Sequence, residues 1–241
     1  MSPSCGAMIL AAGRGERMRP LSDACPKPLL RVGGKPLIVW QIEALRRAGF
    51  TDIVINVAHL AAQLIDALGD GGSCGVRIRW SIEPEALETA GGIATALPLL
   101  PSGPALIVSS DIHADFDYAS LFARADAMVR GTGGPRVHLV MVPNPPFHPA
   151  GDFVLRDGRI ESHGEPSLTY GNIGVYDTAL FRELPRGVKL KLLPLYRQWI
   201  AAGIVSGELH TGRWANIGTP DDLARLDATL QLQAAPPKAP A

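Results

Sequence analysis

Apolar positions along the chain fall into short runs whose spacing alternates between two periods. Ala7 to Leu10 (AMIL), Asp52 to Val57 (DIVINV), Val76 to Ser81 and Ala105 to Ser109 (ALIVS) are compact runs, too short for helices. Runs of this kind read as strands covered on both faces. Between them, Ile38, Ile42 and Leu45 recur at helical spacing within Leu37 to Ala48, with Pro36 near the start and Gly49 just past the end. That is the proline-in, glycine-out asymmetry of helix termini. Leu60 to Leu68 reads as a second helix and the stretch around Ala119 to Met128 as a third. Strands alternating with helices predict βαβ units and parallel pairing.

From about residue 137 the texture changes. Val137 to Val142 is a strand, and Phe153 to Ile160 reads as two strands joined by Asp157-Gly158, a strong short hairpin signal. Antiparallel strands therefore enter in the second half. Ile173 to Tyr176 is a further strand and Leu193 to Ala202 a further helix, and Thr219-Pro220-Asp221-Asp222 opens a last helix with an N-cap, a first-turn proline and two acids suited to the dipole. The expected architecture is α/β, a three-layer α/β/α arrangement around a mixed, mainly parallel, Rossmann-like central sheet. It is expected as one domain over 1–232, with halves at about 1–135 and 136–232, and a Pro- and Ala-rich flexible tail over 233–241.

Composition narrows the function classes. Hydrophobic residues make up 46% and charged residues 19%, enough to bury a core, and 23 Lys and Arg balance 23 Asp and Glu. No global basic field exists to hold nucleic acid or anionic lipid. No apolar run approaches the ~18 residues of a membrane helix, and the N-terminus lacks a signal-peptide pattern. Cys5, Cys25 and Cys74 are scattered without a C-x-x-C pair, as reduced thiols would be. A cytoplasmic protein acting on small charged molecules, with neither nucleic-acid nor membrane partners, is the expectation.

The charged positions that stand out follow the first strand. Gly13 and Gly15 flank Arg14 in Leu10-Ala11-Ala12-Gly13-Arg14-Gly15-Glu16-Arg17-Met18. Glycines in a strand-to-helix turn let backbone N–H groups face an anion such as a polyphosphate; the same glycines also fit a plain tight turn. The spelling is neither G-x-x-x-x-G-K-[ST] nor G-x-G-x-x-G, whose third glycine is replaced by Met18. Arg17 adds charge, and Pro26-Lys27-Pro28 braces a lysine between two stiff residues. Asp111 closes the Ala105–Ser109 strand, the edge at which open α/β sheets bind ligands. Asp111, His113, Asp115 and Asp117 alternate as a metal run might, yet Phe116 and Phe122 stand where a calcium loop needs Gly and Glu. Asp111 alone is the candidate Mg²⁺ ligand, in the usual company of phosphate oxygens.

Taken together, Leu10 to Met18, Pro26-Lys27-Pro28, Leu87-Glu88-Thr89-Ala90-Gly91-Gly92, Ser110-Asp111 and Trp214-x-Asn216-Ile217-Gly218-Thr219-Pro220 resemble the sugar-1-phosphate nucleotidyltransferases. Leu87 to Gly92 and Lys191-Leu192-x-Pro194-Leu195 are most similar to the branch that acts with UTP on N-acetylmuramate 1-phosphate. The resemblance implies Mg²⁺-dependent transfer of a nucleotidyl group from a nucleoside triphosphate to an amino-sugar 1-phosphate, giving a nucleotide sugar and pyrophosphate. It implies that the first half binds nucleotide and the second binds sugar. By the same resemblance Ala12, Gly13, Arg14 and Gly15 cradle the triphosphate, Arg17 holds the leaving pyrophosphate and Lys27 stabilises the α-phosphate. Glu88, Thr89, Gly91 and Gly92 border base and ribose near a sheet edge, and Asp111 with Asn216 ligates Mg²⁺. Glu161 or Glu165 accepts from the sugar hydroxyls, Asn172 donates to them or to an N-acetyl carbonyl, and Lys189 or Lys191 grips the sugar's phosphate. Two departures from the family pattern stand out: Gly164-Glu165-Pro166 lacks the usual lysine, and Asn216 replaces a common aspartate. Transfer of another base, or a binding protein that has lost turnover, are the alternatives.

Overall fold

The computed structural model describes residues 5–131 and 134–234. The apolar runs of the first half become β1 (Gly6–Leu10), β4 (Asp52–Val57), β5 (Arg77–Ile82) and β6 (Pro104–Ser109), with a small hairpin, β2 (Arg31–Val32) and β3 (Lys35–Pro36), after β1 and a short β7 (Ile112–Ala114) after β6. The second half supplies β8 (Val137–Val142), β9 (Phe153–Arg156), β10 (Arg159–Glu161), β11 (Ser167–Asp177), β12 (Val205–Leu209) and β13 (Trp214–Asn216). The helices are α1 (Leu21–Ala24), α2 (Leu37–Arg47), α3 (Ala61–Leu68), α4 (Glu88–Ala96), α5 (Leu121–Arg130), α6 (Leu193–Ala201) and α7 (Pro220–Ala234).

One sheet runs through both halves in the order β5-β4-β1-β6-β11-β8-β12-β10-β9. Its first four strands are mutually parallel. β11 enters antiparallel between β6 and β8, and β12 lies parallel to β8. The Asp157-Gly158 hairpin forms as expected, and β9 turns back to pair with β11, so the second-half strands curl into a closed circuit of pairings.

The alternation of strand faces sorts the core into two layers. Ala7, Ile9, Ile53 and Ile55 face α2, α3 and α5 through Ile42, Leu45, Leu64 and Leu121. Met8, Val54 and Ile107 face α4 and α6 through Ile93, Tyr196 and Trp199. Burying each of the Ile, Leu, Val and Met side chains among them contributes about 1.5–3 kcal/mol. A third cluster joins the two ends of the chain: Leu226 and Leu230 of α7 pack on Val32, Leu37 and Ile217.

Several elements differ from the sequence reading. The stretch Leu87 to Gly92, read as lying near a sheet edge, opens helix α4; Thr and paired Gly are weak helix formers, and packing overrides them. β12, β13 and the β2–β3 hairpin are too short or too polar to show a clear period. The last helix is capped as read: Thr219 Oγ1 accepts from the Asp222 N–H at 3.2 Å and the Thr219 N–H donates to Asp222 Oδ2 at 2.8 Å. It reaches Ala234, two residues into the expected tail; residues 235–241 lie outside the described residues. Among the described residues no helix is long and apolar enough to cross a membrane.

Candidate active site

The carboxyl ends of β1, β4 and β6 open into a cavity of about 770 Å³. Ala12, Gly13, Gly15 and Arg17 form one wall, Glu88 and Thr89 of α4 another, and Lys27, Asn56, Ser110 and Asp111 line it with Gly218. The geometry begins with Gly15, held at φ +65°, where an L side chain is strained. A Cβ there would also lie 3.0 Å from Lys27 Cβ. The bare glycine thus lets the loop close on the lysine stem, and Ser22 Oγ fixes it by donating to the Gly15 carbonyl at 2.8 Å. Lys27 heads a single helical turn between its two prolines, its carbonyl accepting from the Leu30 N–H at 3.1 Å.

From that stem Lys27 Nζ reaches Asp111 Oδ2 at 2.5 Å, with side chains only 12% and 25% exposed. Ammonium and carboxylate, 84 residues apart in sequence, neutralise each other in the cavity. Asp111 is also joined to the far end of the chain, because the Ile217 N–H donates to its carbonyl at 2.9 Å and Asn216 pairs with Ile112 in the β7–β13 ladder. The Oδ1 atom of Asn216 is buried and has no hydrogen-bond partner. Hard divalent cations take oxygen ligands; the Asp111 carboxylate in the first cavity and the unpartnered Asn216 amide oxygen, on strands bonded to each other, are donors of the kind that fits one. No cluster of three or more His, Cys, Asp or Glu in the described residues could hold a metal by itself, so ligand phosphates would have to complete the shell.

Arg17 lines this cavity and a second of about 770 Å³ beside it. A Cβ on Gly218 would stand 3.2 Å from the Arg17 Cζ, so the glycine lets the guanidinium lie against the backbone between the two spaces. Pro145, Phe147, Trp214, Ile217 and Leu226 make the second cavity mostly apolar, and Asn216 also lines it. Trp214 Nε1 donates to the Gly171 carbonyl at 2.9 Å. Next to it is Asn172, at φ +56° in the bulge between Tyr170 and Gly174. It adjoins Ile173, the partner of Val108, and therefore emerges at the same end of β6 as Asp111, although it lines neither cavity.

The remaining acids of the Asp111–Asp117 run have other partners. Asp115 pairs with His210 at 3.1 Å and Arg213 at 3.2 Å, and Asp117 accepts from the Ala119 N–H at 3.0 Å. His113 lies edge-on to Trp40 at 5.4 Å, where burial, with Arg213 nearby, lowers its pKa and keeps it neutral at pH 7.

Not every expected site residue comes to these cavities. Arg14 is exposed and lines neither. Glu161 is tied to Arg156 at 3.0 Å and lines a third hollow that also contains Arg197. Glu165 and Lys191 are exposed outside all three. Lys189 pairs with Glu85 on the surface at 2.5 Å. Gly91 and Gly92 are buried and line neither cavity. Their bareness serves packing: the Ala90 and Gly91 N–H groups both donate to the Leu190 carbonyl, and a Cβ on Gly91 would meet the Val188 carbonyl at 2.1 Å. Gly91→Ala should therefore cost about 1–3 kcal/mol by overpacking, read as a melting temperature lower by several degrees, whereas Gly134→Ala, with nothing within 4 Å of its Cβ, should leave it unchanged. Asn56 lines the cavity and went unread in the sequence; as a polar residue near the carboxyl end of a buried strand it carries the same signal as Asp111.

The cavity geometry is matched by sequence comparison, in which residues 6–145 fit the family model described as nucleotidyl transferase. The chain belongs to that family. N-acetylmuramate alpha-1-phosphate uridylyltransferase of Neisseria meningitidis serogroup B is 49% identical to this nucleotidyltransferase over 217 residues, 88% of this chain and 93% of that one. The protein of the same name from Caulobacter vibrioides is 35% identical over 239 residues, 94% and 96% of the two chains. These relatives make it a sugar-1-phosphate nucleotidyltransferase. HddC from Yersinia pseudotuberculosis, solved with GMP-PN, shares the fold at a TM-score of 0.76 and 18% identity, covering 93% of this nucleotidyltransferase and 99% of HddC.

Proposed function

We propose that this enzyme transfers the uridylyl group of UTP to N-acetylmuramate 1-phosphate and releases pyrophosphate. The observation that carries the reading is the meeting of Lys27 and Asp111 beneath the glycine loop. The names of the two relatives support the choice of base and acceptor. A phosphate oxygen of the sugar phosphate attacks the α-phosphorus; the bond from that phosphorus to the bridging oxygen breaks, and its electron pair leaves with pyrophosphate. The nucleophile is already an anion, so no general base is required, and catalysis reduces to positioning and charge neutralisation.

The chain's own groups divide that work. Lys27 leaves Asp111 to meet the α-phosphate oxygens, Arg17 attracts the departing pyrophosphate, and backbone N–H groups of Ala12 to Gly15 face the phosphates. Glu88 and Thr89 wall the base and ribose. Asn172 serves the sugar, which enters the cavity beyond Arg17. Asp111 and Asn216 would hold Mg²⁺, whose charge offsets that of the phosphates. A second reading, guanylyl transfer, is favoured by a mannose-1-phosphate guanyltransferase of Gibberella zeae, 30% identical over 231 residues, with 61% of that protein covered.

Incubation with all four nucleoside triphosphates, a panel of sugar 1-phosphates and Mg²⁺, followed by mass measurement of the products, tests both readings. The mass of UDP-N-acetylmuramate is expected. A GDP-sugar alone would favour the second reading, and nucleotide binding without pyrophosphate release would make the chain a binding protein.

A further inference from the structure

Two buried polar side chains connect the walls of the phosphate cavity, and the reaction proposed above gives neither a role. Asn56 is 3% exposed and Glu83 2%. The Ala11 N–H donates to Asn56 Oδ1 at 2.9 Å, Asn56 Nδ2 donates to Glu83 Oε1 at 2.7 Å, and the Leu87 N–H donates to Glu83 Oε2 at 3.0 Å. Ala11 begins the glycine loop, and Leu87 precedes the α4 residues Glu88 and Thr89, which line the opposite wall. Gly92 keeps the space open, since a Cβ there would stand 2.8 Å from Asn56 Nδ2 and 2.9 Å from Glu83 Oε1.

A buried carboxylate is costly. Burial raises the pKa of Glu83, opposed by the bonds from Asn56 and Leu87. Apolar side chains of similar volume could fill the space, but they would leave the Ala11 and Leu87 N–H groups without acceptors. What an apolar filling would not reproduce is directional contact with two loop amides at once. We propose that Asn56 and Glu83 are positioning residues that set the separation of the phosphate loop from the α4 turn to fit a nucleoside triphosphate. They act on nucleotide binding and leave the sugar phosphate untouched. This rests on the reading that the cavity takes the triphosphate.

Glu83→Gln tests it with almost no change in shape, because the amide nitrogen cannot accept and one of the two bonds at that position must open. The KM for UTP should rise about tenfold, the KM for the sugar phosphate should stay within about twofold, and the calorimetric Kd for UTP alone should weaken in parallel. Asn56→Leu, uncharged and close in volume, breaks both bonds and should give the same split. Tyr118→Phe removes a buried bond from Gln41, 2.8 Å long, in the opposite layer of the core; it should lower the melting temperature with both KM values unchanged. Equal changes in both KM values in Glu83→Gln, the same UTP effect in Tyr118→Phe, or failure of both cavity variants to fold would each overturn the positioning role. Wild-type protein that binds no nucleoside triphosphate would instead overturn the functional reading, and this inference with it.

Discussion

Lys27→Ala should lower turnover by about 10²–10³-fold, the usual effect of deleting one preorganised group that meets charge in the transition state. The fold should survive, because the stem of Lys27 packs on a surface loop and the central layers contain none of it. The loss should fall mainly on kcat, since a contact strengthened in the transition state alone is lost there. A second readout follows from the 2.5 Å contact with Asp111: without the ammonium, Mn²⁺ titrated in the absence of nucleotide should bind more tightly, having no resident cation to displace. Turnover within about threefold of wild type would remove Lys27 from the chemistry, a change of under about 1 kcal/mol.

Asp111→Asn should be of similar size with a different signature. The amide keeps an oxygen but loses the charge, so activity should fall about 10²-fold or more and recover in part at high Mg²⁺. Asp117→Asn, six residues on, is the matched control. Its carboxylate does no more than accept from the Ala119 N–H, a bond that asparagine can also make, and its activity should equal wild type. Pyrophosphate release measured across a Mg²⁺ series separates the two. Equal losses in both variants would mean that the whole acidic run acts on the site through the fold.

Different parts of this molecule were legible in the sequence for different reasons. β1, β4 and β6 announce themselves because both faces are buried, and their ends then locate Asp111 without further information. Gly15 and Lys27 could be linked to one candidate anion site from glycine's backbone freedom and the bracing prolines, each a local property. The purpose of Gly91 and Gly92 could not be, since their constraints are Val188 and the Asn56–Glu83 pair, distant in sequence. Glu161 is hard to place for a similar reason: it lies at the end of a strand, but β9 and β10 pair so that it meets Arg156 and lines a separate hollow. Asn216 was readable as a candidate ligand only through likeness; the physical argument appears with its buried, unpartnered Oδ1.

The packing of α7 on the β2–β3 hairpin has a consequence for the order of folding. Arg17 rests on Gly218, Asp111 is bonded to Ile217, and Gly33 donates to Asp227 at 2.7 Å across 194 positions. A refolding polypeptide that has paired β1, β4, β5 and β6 but not yet docked α7 would still lack the Gly218 side of the cavity that contains Lys27 and Asp111. Such distant closures are the slow ones, so on dilution from denaturant nucleotide binding should lag behind the return of the sheet's own signal.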